Sequence, residues 1–456
     1  MVKEKGKMGF FTLLSLCMGT IIGAGVFGSL PRAVNLVGPV IVIVFIVAVI
    51  EVILRYFPSV SVSAAIPAPS GFYMQLSRLV SPYFGVLQLL QILFSIFSQS
   101  MLATVFASYL NMVVKVNPTA AAIGVLLVFG AIGYFGAQTG AKVQNGMVVL
   151  LVIALFIYIF NGAAYVKPEF FTVSKMVSFE GISFTSFGAA LGLAAGCLMG
   201  GFVAVYYADE VKKPHMNIVL AFIVSTIVVG VIYLLMGIIT CGVVSPEQRT
   251  SLGDVAKMFM ASPVWYFFII CGALFAIATT INGSIIGSLK NLGVIANDKV
   301  LPDAFARKNK HGISIACLLF VVICDIIVVS TKLSVGTLMS VSSSLGILIA
   351  MAQFVSAIKM PKKYPNSREH AKFKIPMLAL YAMIAFATCF CIYELYGMIV
   401  TSEMSVWIGV AITVAVGYIY FFIRKTYLKS RDVDLIAIMS TPYEPWEKRE
   451  KEFEEK

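Results

Sequence analysis

The stretch Met18-Gly19-Thr20-Ile21-Ile22-Gly23-Ala24-Gly25-Val26-Phe27-Gly28-Ser29-Leu30-Pro31 constrains this chain more than any other. It lies in a run apolar enough to cross a bilayer, yet it holds four glycines and ends in a proline. Glycine costs about 1 kcal/mol against alanine inside a helix, so such a cluster favours local unwinding. Within hydrocarbon, an opened helix leaves N–H and C=O groups that only protein, water or a ligand can satisfy. The run therefore marks a candidate polar binding site inside a membrane.

The rest of the chain supports a membrane setting. Of its 456 residues, 59% are hydrophobic and 12% charged, where a soluble domain carries about 25% charged residues. At roughly 20–25 residues per span, twelve apolar segments are expected, near 8–36, 38–66, 82–113, 118–137, 145–165, 183–208, 216–241, 263–289, 312–331, 334–358, 376–400 and 404–427. The first segment follows Lys3, Lys5 and Lys7, and it is too long and too glycine-broken to read as a cleaved signal. The net charge of +12 is distributed by side: with the N-terminus cytoplasmic, 26 of the 34 Lys and Arg fall on the cytoplasmic face. That asymmetry follows the positive-inside rule and predicts a multi-pass cell-membrane protein with both termini in the cytoplasm. It explains the basic character without nucleic acid.

Redox, metal and enzyme chemistry find little support. The eight cysteines all fall in apolar segments without a C-x-x-C pair, so neither a disulfide framework nor a metal site is expected, and no cofactor is implied. His215, His311 and His370 lie in predicted loops, which leaves the spans without the histidine an embedded enzyme would use as base or ligand. A channel would line a continuous polar path, whereas the polar features here gather at two places.

The second place is the sixth segment, where Gly188, Gly192, Gly196, Gly200 and Gly201 crowd the middle of the span. Five spans separate the two segments, so they enter the membrane in opposite senses. Interrupted helices at matching places in two oppositely oriented halves are the signature of inverted-repeat transporters. Close packing through small residues is the alternative for either cluster alone.

With these features aligned, Gly19-Thr20-Ile21-Ile22-Gly23-Ala24-Gly25-Val26-Phe27 resembles the first-span signature of the amino acid–polyamine–organocation (APC) transporter superfamily. Pro67-Ala68-Pro69-Ser70-Gly71-Phe72-Tyr73 is similar to its loop after span 2. Ala208-Asp209-Glu210-Val211-Lys212-Lys213-Pro214 is similar to the end of its span 6. Asn282-Gly283-Ser284-Ile285-Ile286-Gly287, Asn297-Asp298-Lys299-Val300-Leu301-Pro302 and Lys372-Phe373-Lys374-Ile375-Pro376 follow in family order. The resemblance implies an all-α polytopic protein of twelve transmembrane helices. Two inverted five-helix repeats, 8–165 and 183–358, are followed by two C-terminal helices at 376–427, with cytoplasmic tails at 1–7 and 428–456. It also implies amino acid or amine substrates moved by alternating access.

An amino acid presents a carboxylate and an ammonium. The half-helix starting near Gly23, Ala24 and Gly25 offers free N–H groups and a positive dipole end to the carboxylate. The half-helix ending near Ile21 and Ile22 offers free carbonyls to the ammonium. The resemblance assigns the same roles, with Gly196, Cys197, Met199 and Gly200 of span 6 sharing the substrate. Ser95 and Ser100 on span 3, Thr279 and Asn282 on span 8, and Ser342 to Ser344 on span 10 are candidates for the walls. Hydroxyls in membrane helices often bond their own backbone, whereas a buried amide such as Asn282 is harder to satisfy locally.

Several members of the family carry an aromatic gate where this chain has Gly196; the missing side chain either leaves room for a larger substrate or moves the gate elsewhere, with Phe27, Phe202 and Tyr206 as the gating candidates. The resemblance places the family's span 5 coupling lysine at Leu151, which neither takes up a proton nor replaces a cation. Exchange is the expectation from this departure, with proton symport the alternative. Intramembrane ionisable groups are the coupling candidates: Glu51, which has Arg55 four residues on, and Asp325 and Glu394, which have no helical partner. The tail from Lys429 suits a solvated cytoplasmic helix. Oligomeric state and substrate identity are not legible.

Overall fold

The computed structural model describes residues 7–331, 335–401 and 404–455. The described chain is helical almost throughout. The first helices are α1 (Phe10–Ile21), α2 (Ala24–Val37), α3 (Ile41–Ala65), α4 (Gly71–Gln75), α5 (Pro82–Val113), α6 (Pro118–Tyr134) and α7 (Ala137–Ala163). The middle of the chain holds α8 (Phe184–Leu198), α9 (Pro214–Val243), α10 (Leu252–Lys257), α11 (Ser262–Phe267) and α12 (Phe275–Asn297). There follow α13 (Ile315–Thr331), α14 (Val335–Lys363), α15 (Pro365–Glu369), α16 (Met377–Thr401), α17 (Met404–Lys429), α18 (Leu435–Ser440) and α19 (Glu444–Glu454). Among the described residues ten helical segments are long and apolar enough to cross a membrane, and Pro118–Tyr134 and Ile315–Ser330 are shorter apolar helices. This is an all-α, multi-pass membrane protein.

Helix starts follow local chemistry. Pro82 and Pro118 stand in the first turns of α5 and α6, where a missing N–H costs nothing. The Asn117 side chain accepts from the Ala120 N–H, and the Ser183 hydroxyl accepts from the Ser186 N–H at the head of α8. Two spans run longer than hydropathy suggests. Helix α7 begins at Ala137, eight residues before the expected 145, because Lys142, Gln144 and Asn145 mask a turn of helix without breaking it. Helix α11 continues through a π-helical turn into α12, which ends at Asn297 rather than near 289.

Two packing groups meet along α1. Helix α9 lies along α3 and α1, and α8 packs on α2 and α3. Helix α5 packs on α6, α12, α13 and α14, and α7 reaches α1, α9 and α12. Helices α16 and α17 sit outside, against α3 and against α14 and α5.

Both chain ends close on the same end of the bundle. The Met8 N–H donates to the Glu210 carbonyl (2.7 Å) and the Lys212 N–H to the Met8 carbonyl (2.9 Å), which ties the start of α1 to the segment before α9. The sequence expectation of a solvated C-terminal helix is corrected here, because that tail is docked. Trp446 is 1% exposed, and its indole N–H donates to the Pro67 carbonyl (3.0 Å). Glu450 accepts the N–H groups of Asn366 (2.7 Å) and Ser367 (2.8 Å), capping α15 from outside the helix. The Tyr364 hydroxyl donates to Glu447 (2.7 Å), and burial together with that carboxylate pushes the phenol above its usual range. The charged composition of the tail hid the apolar side formed by Leu435, Met439 and Trp446, all buried.

Truncating a fully buried tryptophan costs about 3–5 kcal/mol. Trp446→Ala is therefore expected to release the tail: limited proteolysis should cut after Lys448 and Arg449 at a faster rate while the spans remain protected.

Candidate functional site

The first span breaks where its glycines cluster. Helix α1 stops at Ile21, the Ile22 N–H still donates to the Met18 carbonyl (2.8 Å), and the Gly23 N–H turns back to Ile21 (2.8 Å). Gly23 is extended (φ −109°, ψ −168°), and α2 then starts at Ala24 with no side chain capping it. The N–H groups of its first turn at Ala24, Gly25 and Val26 precede any helical acceptor. A helix start of this kind suits an anion. At the other half, the Ile21 carbonyl already accepts from Gly23 and from the Tyr233 hydroxyl (3.3 Å). Both its lone pairs are taken, which leaves other carbonyls at this end of the break, Ile22 among them.

The sixth span breaks at Leu198. The Met199 N–H donates to Ala195 (3.1 Å), Gly200 takes φ +144°, and a short 3-10 turn runs over Gly201–Val205. The last carbonyls of α8, including Gly196 and Cys197, have no following helical donor. The two breaks cross. A Cβ on Gly200 would lie 2.6 Å from the Thr20 carbonyl oxygen and 2.8 Å from the Ile21 nitrogen. A Cβ on Gly25 would lie 3.6 Å from Cys197 Sγ, and the Cys17 thiol donates to the Gly201 carbonyl (3.3 Å). Gly196 has no atom within 4 Å of where its Cβ would stand, and it faces open space.

The wall candidates are sorted by helix rotation. Thr279 is buried and bonded to the Ala276 carbonyl (2.9 Å), whereas Thr280 faces the first break. The Thr280 hydroxyl lies 3.4 Å from the Gly19 carbonyl and 2.7 Å from where a Gly23 Cβ would be. Sequence reasoning singled out Thr279, and helix phase turns its neighbour Thr280 toward the first break. The Asn282 amide donates to the Gly140 carbonyl (3.0 Å) and to Gln144 Oε1 (2.8 Å), joining α12 to α7. Gln144, not singled out from sequence, is fully buried and lies against Gly19. It is the polar group that α7 brings to the first span, while Leu151, seven residues later, is packed in the core. Ser95 bonds its own helix at Gln91 (2.9 Å). Ser100 donates to Asp325 Oδ1 (2.9 Å), so Asp325 has the partner its sequence neighbourhood did not reveal. Ser344 is buried, and the side chains of Ser342 and Ser343 lie outside those described.

Aromatic layers flank the crossing. On one side Phe27 packs edge-on to Tyr109 (5.8 Å) and against Phe268 (5.8 Å), which stacks on Tyr158 (5.1 Å). On the other, Phe202 stacks on Tyr56 (4.7 Å) and meets Phe72 (5.6 Å) and Tyr206 (6.2 Å). Beyond this second layer Lys290 binds Asp209 (2.7 Å) and Glu210 (2.6 Å). These three line a cavity of about 640 Å³ that is also lined by Lys308, Lys310 and His311. Glu394, expected without a partner, binds Arg55 (2.5 Å), which also pairs with Glu51.

Residues 8–423 match the family model described as Amino acid permease. The chain is 24% identical to the methylthioribose transporter of Bacillus subtilis over 91% of this chain and 92% of that protein. It is 24% identical to the inner membrane transport protein YbaT of Escherichia coli, over 88% and 93%. It is 23% identical to the branched-chain amino acid permease BcaP of Bacillus subtilis, over 93% and 94%. The chain belongs to the amino acid permease family, and it is a secondary transporter of small molecules, not an enzyme.

Gly200→Ala puts a methyl group into span 1 at a backbone angle that itself costs about 1–3 kcal/mol. The variant is expected to lose ligand-induced thermal stabilisation, with its melting temperature lowered, whereas Gly196→Ala should keep a wild-type melting temperature. A thermal-shift series on purified protein reads both.

Proposed function

We propose that this member of the amino acid permease family carries an amino acid, or the amine derived from it, across the cell membrane by alternating access. The observation that carries this reading is the crossing of two broken helices with a free helix start at Ala24-Gly25 and free carbonyls at Gly196 and Cys197. One end of that crossing suits a carboxylate and the other an ammonium. In this reading the carboxylate sits on the N–H groups of Ala24 to Val26. The ammonium sits between the Ile22 carbonyl and the end of α8, with Met199 and Gly200 closing the turn. Thr280 and Gln144 replace Thr279, Asn282, Ser95 and Ser100 as the polar side chains nearest the first break.

In this reading the ten long spans and two shorter apolar helices make twelve crossings, the first ten forming two inverted five-helix repeats. The closure of both termini over one end of the bundle supports placing them on one side, and the Lys and Arg distribution makes that side the cytoplasm. Phe27 and its neighbours form the outer layer, and Phe202 and Tyr206 the inner one. Motion of α1, α3 and α9 against α5 and α12 then opens one layer at a time.

Exchange is the favoured mode, because Gln144 and Leu151 give span 5 no titratable group beside the break. Proton symport is the second reading, favoured by the carboxylates that sit within membrane-spanning helices: Glu51, Asp325 and Glu394. The relatives are named for a thioribose and for branched-chain amino acids, so the family alone does not choose a substrate. A zwitterion is chosen here by the paired donor and acceptor ends.

Purified protein in liposomes separates the two modes. Labelled amino acid uptake should require unlabelled amino acid inside and be indifferent to a pH gradient. Uptake driven by inward protons into empty liposomes would replace exchange by symport. Gly25→Leu fills the helix start that receives the carboxylate, and it should abolish ligand-induced stabilisation while leaving the unliganded melting temperature close to wild type. Retained binding would remove the first break from the site.

A further inference from the structure

Glu51, Arg55 and Glu394 form a cluster that the substrate site does not use. Glu51 and Arg55 are four residues apart on α3, with side chains 1% exposed, and Glu394 reaches them from α16 with 17% exposure. Arg55 Nη2 binds Glu51 Oε1 and Glu394 Oε2, the latter at 2.5 Å. One guanidinium thus serves two carboxylates. Both Glu51 carboxylate oxygens, Arg55 Nε and Arg55 Nη2 are buried without a hydrogen bond among the described residues, so Arg55 meets the carboxylates as ion pairs only.

Charge counting decides what such a cluster must hold. With both carboxylates ionised the three side chains sum to −1, within helices that cross the membrane. A net charge there is costly unless it is compensated. Among the described residues the neighbouring elements supply no second cation. Helix α8, α9 beyond His215 and α14 before Lys359 contain no Asp, Glu, Lys or Arg. Arg32 of α2 is solvent-exposed, and the Lys175 amine of the 173–177 turn bonds the Glu169 carbonyl (2.7 Å). The titratable side chains acting on Arg55 besides the two glutamates are Tyr56 and Cys391, both neutral when protonated. An unpartnered carboxylate oxygen beside an apolar wall is also costly as an anion and much less so when protonated.

We propose that Glu51, Arg55 and Glu394 are a binding site for one proton, an arginine-bridged carboxylate pair that is neutral when the proton is present. The proton forms an O–H bond on one of the two carboxyl groups, and the other remains the counter-ion of Arg55. Loss of the proton leaves the cluster at −1 and strengthens the pull of both carboxylates on Arg55. That cluster joins α3 to α16. The residue after Arg55 is Tyr56, whose ring stacks on Phe202 and whose hydroxyl touches Met199 Sδ (3.8 Å) at the second break. Proton occupancy at the α3–α16 contact is thereby linked to the inner aromatic layer. This deepens the symport reading, yet occupancy itself can be measured without any transport.

Infrared difference spectroscopy on the purified full-length protein tests it at pH 7. Glu394→Gln leaves one carboxylate to one guanidinium, a neutral pair that needs no proton. The wild type minus Glu394→Gln spectrum should therefore show a carboxylic-acid C=O band, shifted in deuterium oxide, with carboxylate absorption unchanged. Glu51→Gln should give the same difference, which keeps the test available if one variant folds poorly. Asp325 is common to all samples and cancels. Loss of carboxylate absorption with no acid band in either difference would show both glutamates ionised and overturn the proposal. In liposomes held at the same pH on both sides, labelled leucine exchange should vary with that pH in the wild type and become flat in both variants. An acid band without that pH dependence would keep the proton site and remove its link to transport.

Discussion

The backbone contact between Gly200 and Thr20-Ile21 is the constraint on which the rest of this protein depends. Two interrupted helices can share one binding site only if their unwound segments approach to van der Waals distance, and a side chain at position 200 would prevent it. The positive φ of Gly200 adds a second reason for glycine, because that angle is strained for any residue with a Cβ. Once the segments cross, each presents what the other lacks. Span 1 contributes the N–H groups that open α2, and span 6 contributes the carbonyls that end α8. The Cys17 thiol bonded to Gly201 and the Tyr233 hydroxyl bonded to Ile21 satisfy two further carbonyls at the breaks.

Around this crossing, closure is layered. Phe27 with Tyr109 and Phe268 covers one side, and Phe202 with Tyr56, Phe72 and Tyr206 covers the other. The second side is reinforced further out by Lys290 on Asp209 and Glu210, by Arg78 paired with Asp298 (2.5 Å), and by the Tyr73 hydroxyl on the same aspartate (2.7 Å). Both chain ends add to that end of the bundle, through Met8 and through Trp446. In the proposed alternating-access cycle these contacts part in turn. Lys290 with Asp209 and Glu210 is part-buried, and Arg78 with Asp298 is more deeply buried, so parting them also means rehydrating charge.

The breaks were legible because glycine is chemically distinctive: five in span 6 and four in span 1 stand out against any apolar background. The helical class and the approximate spans were legible for the same compositional reason. What was not legible is what depends on rotation between helices. Thr279 and Thr280 are adjacent and alike in sequence, yet one faces its own helix and the other the break. Asp325 and Glu394 looked unpaired because their partners, Ser100 and Arg55, lie on other helices. Gln144 was passed over because it sits among polar residues at the apparent edge of a span that in fact begins eight residues earlier. The tail misled through its charge, since one face of it is apolar at Leu435, Met439 and Trp446.

Cys197 reports directly on whether the two breaks form one substrate site, because its thiol lies beside Gly25 at the crossing. In the full chain with the seven other cysteines changed to alanine, its alkylation rate can be followed with and without the amino acid that most raises the melting temperature. A ligand bound between the breaks at ten times its Kd should slow alkylation about tenfold. An unchanged rate, with the ligand still raising the melting temperature, would place the substrate elsewhere and contradict the account.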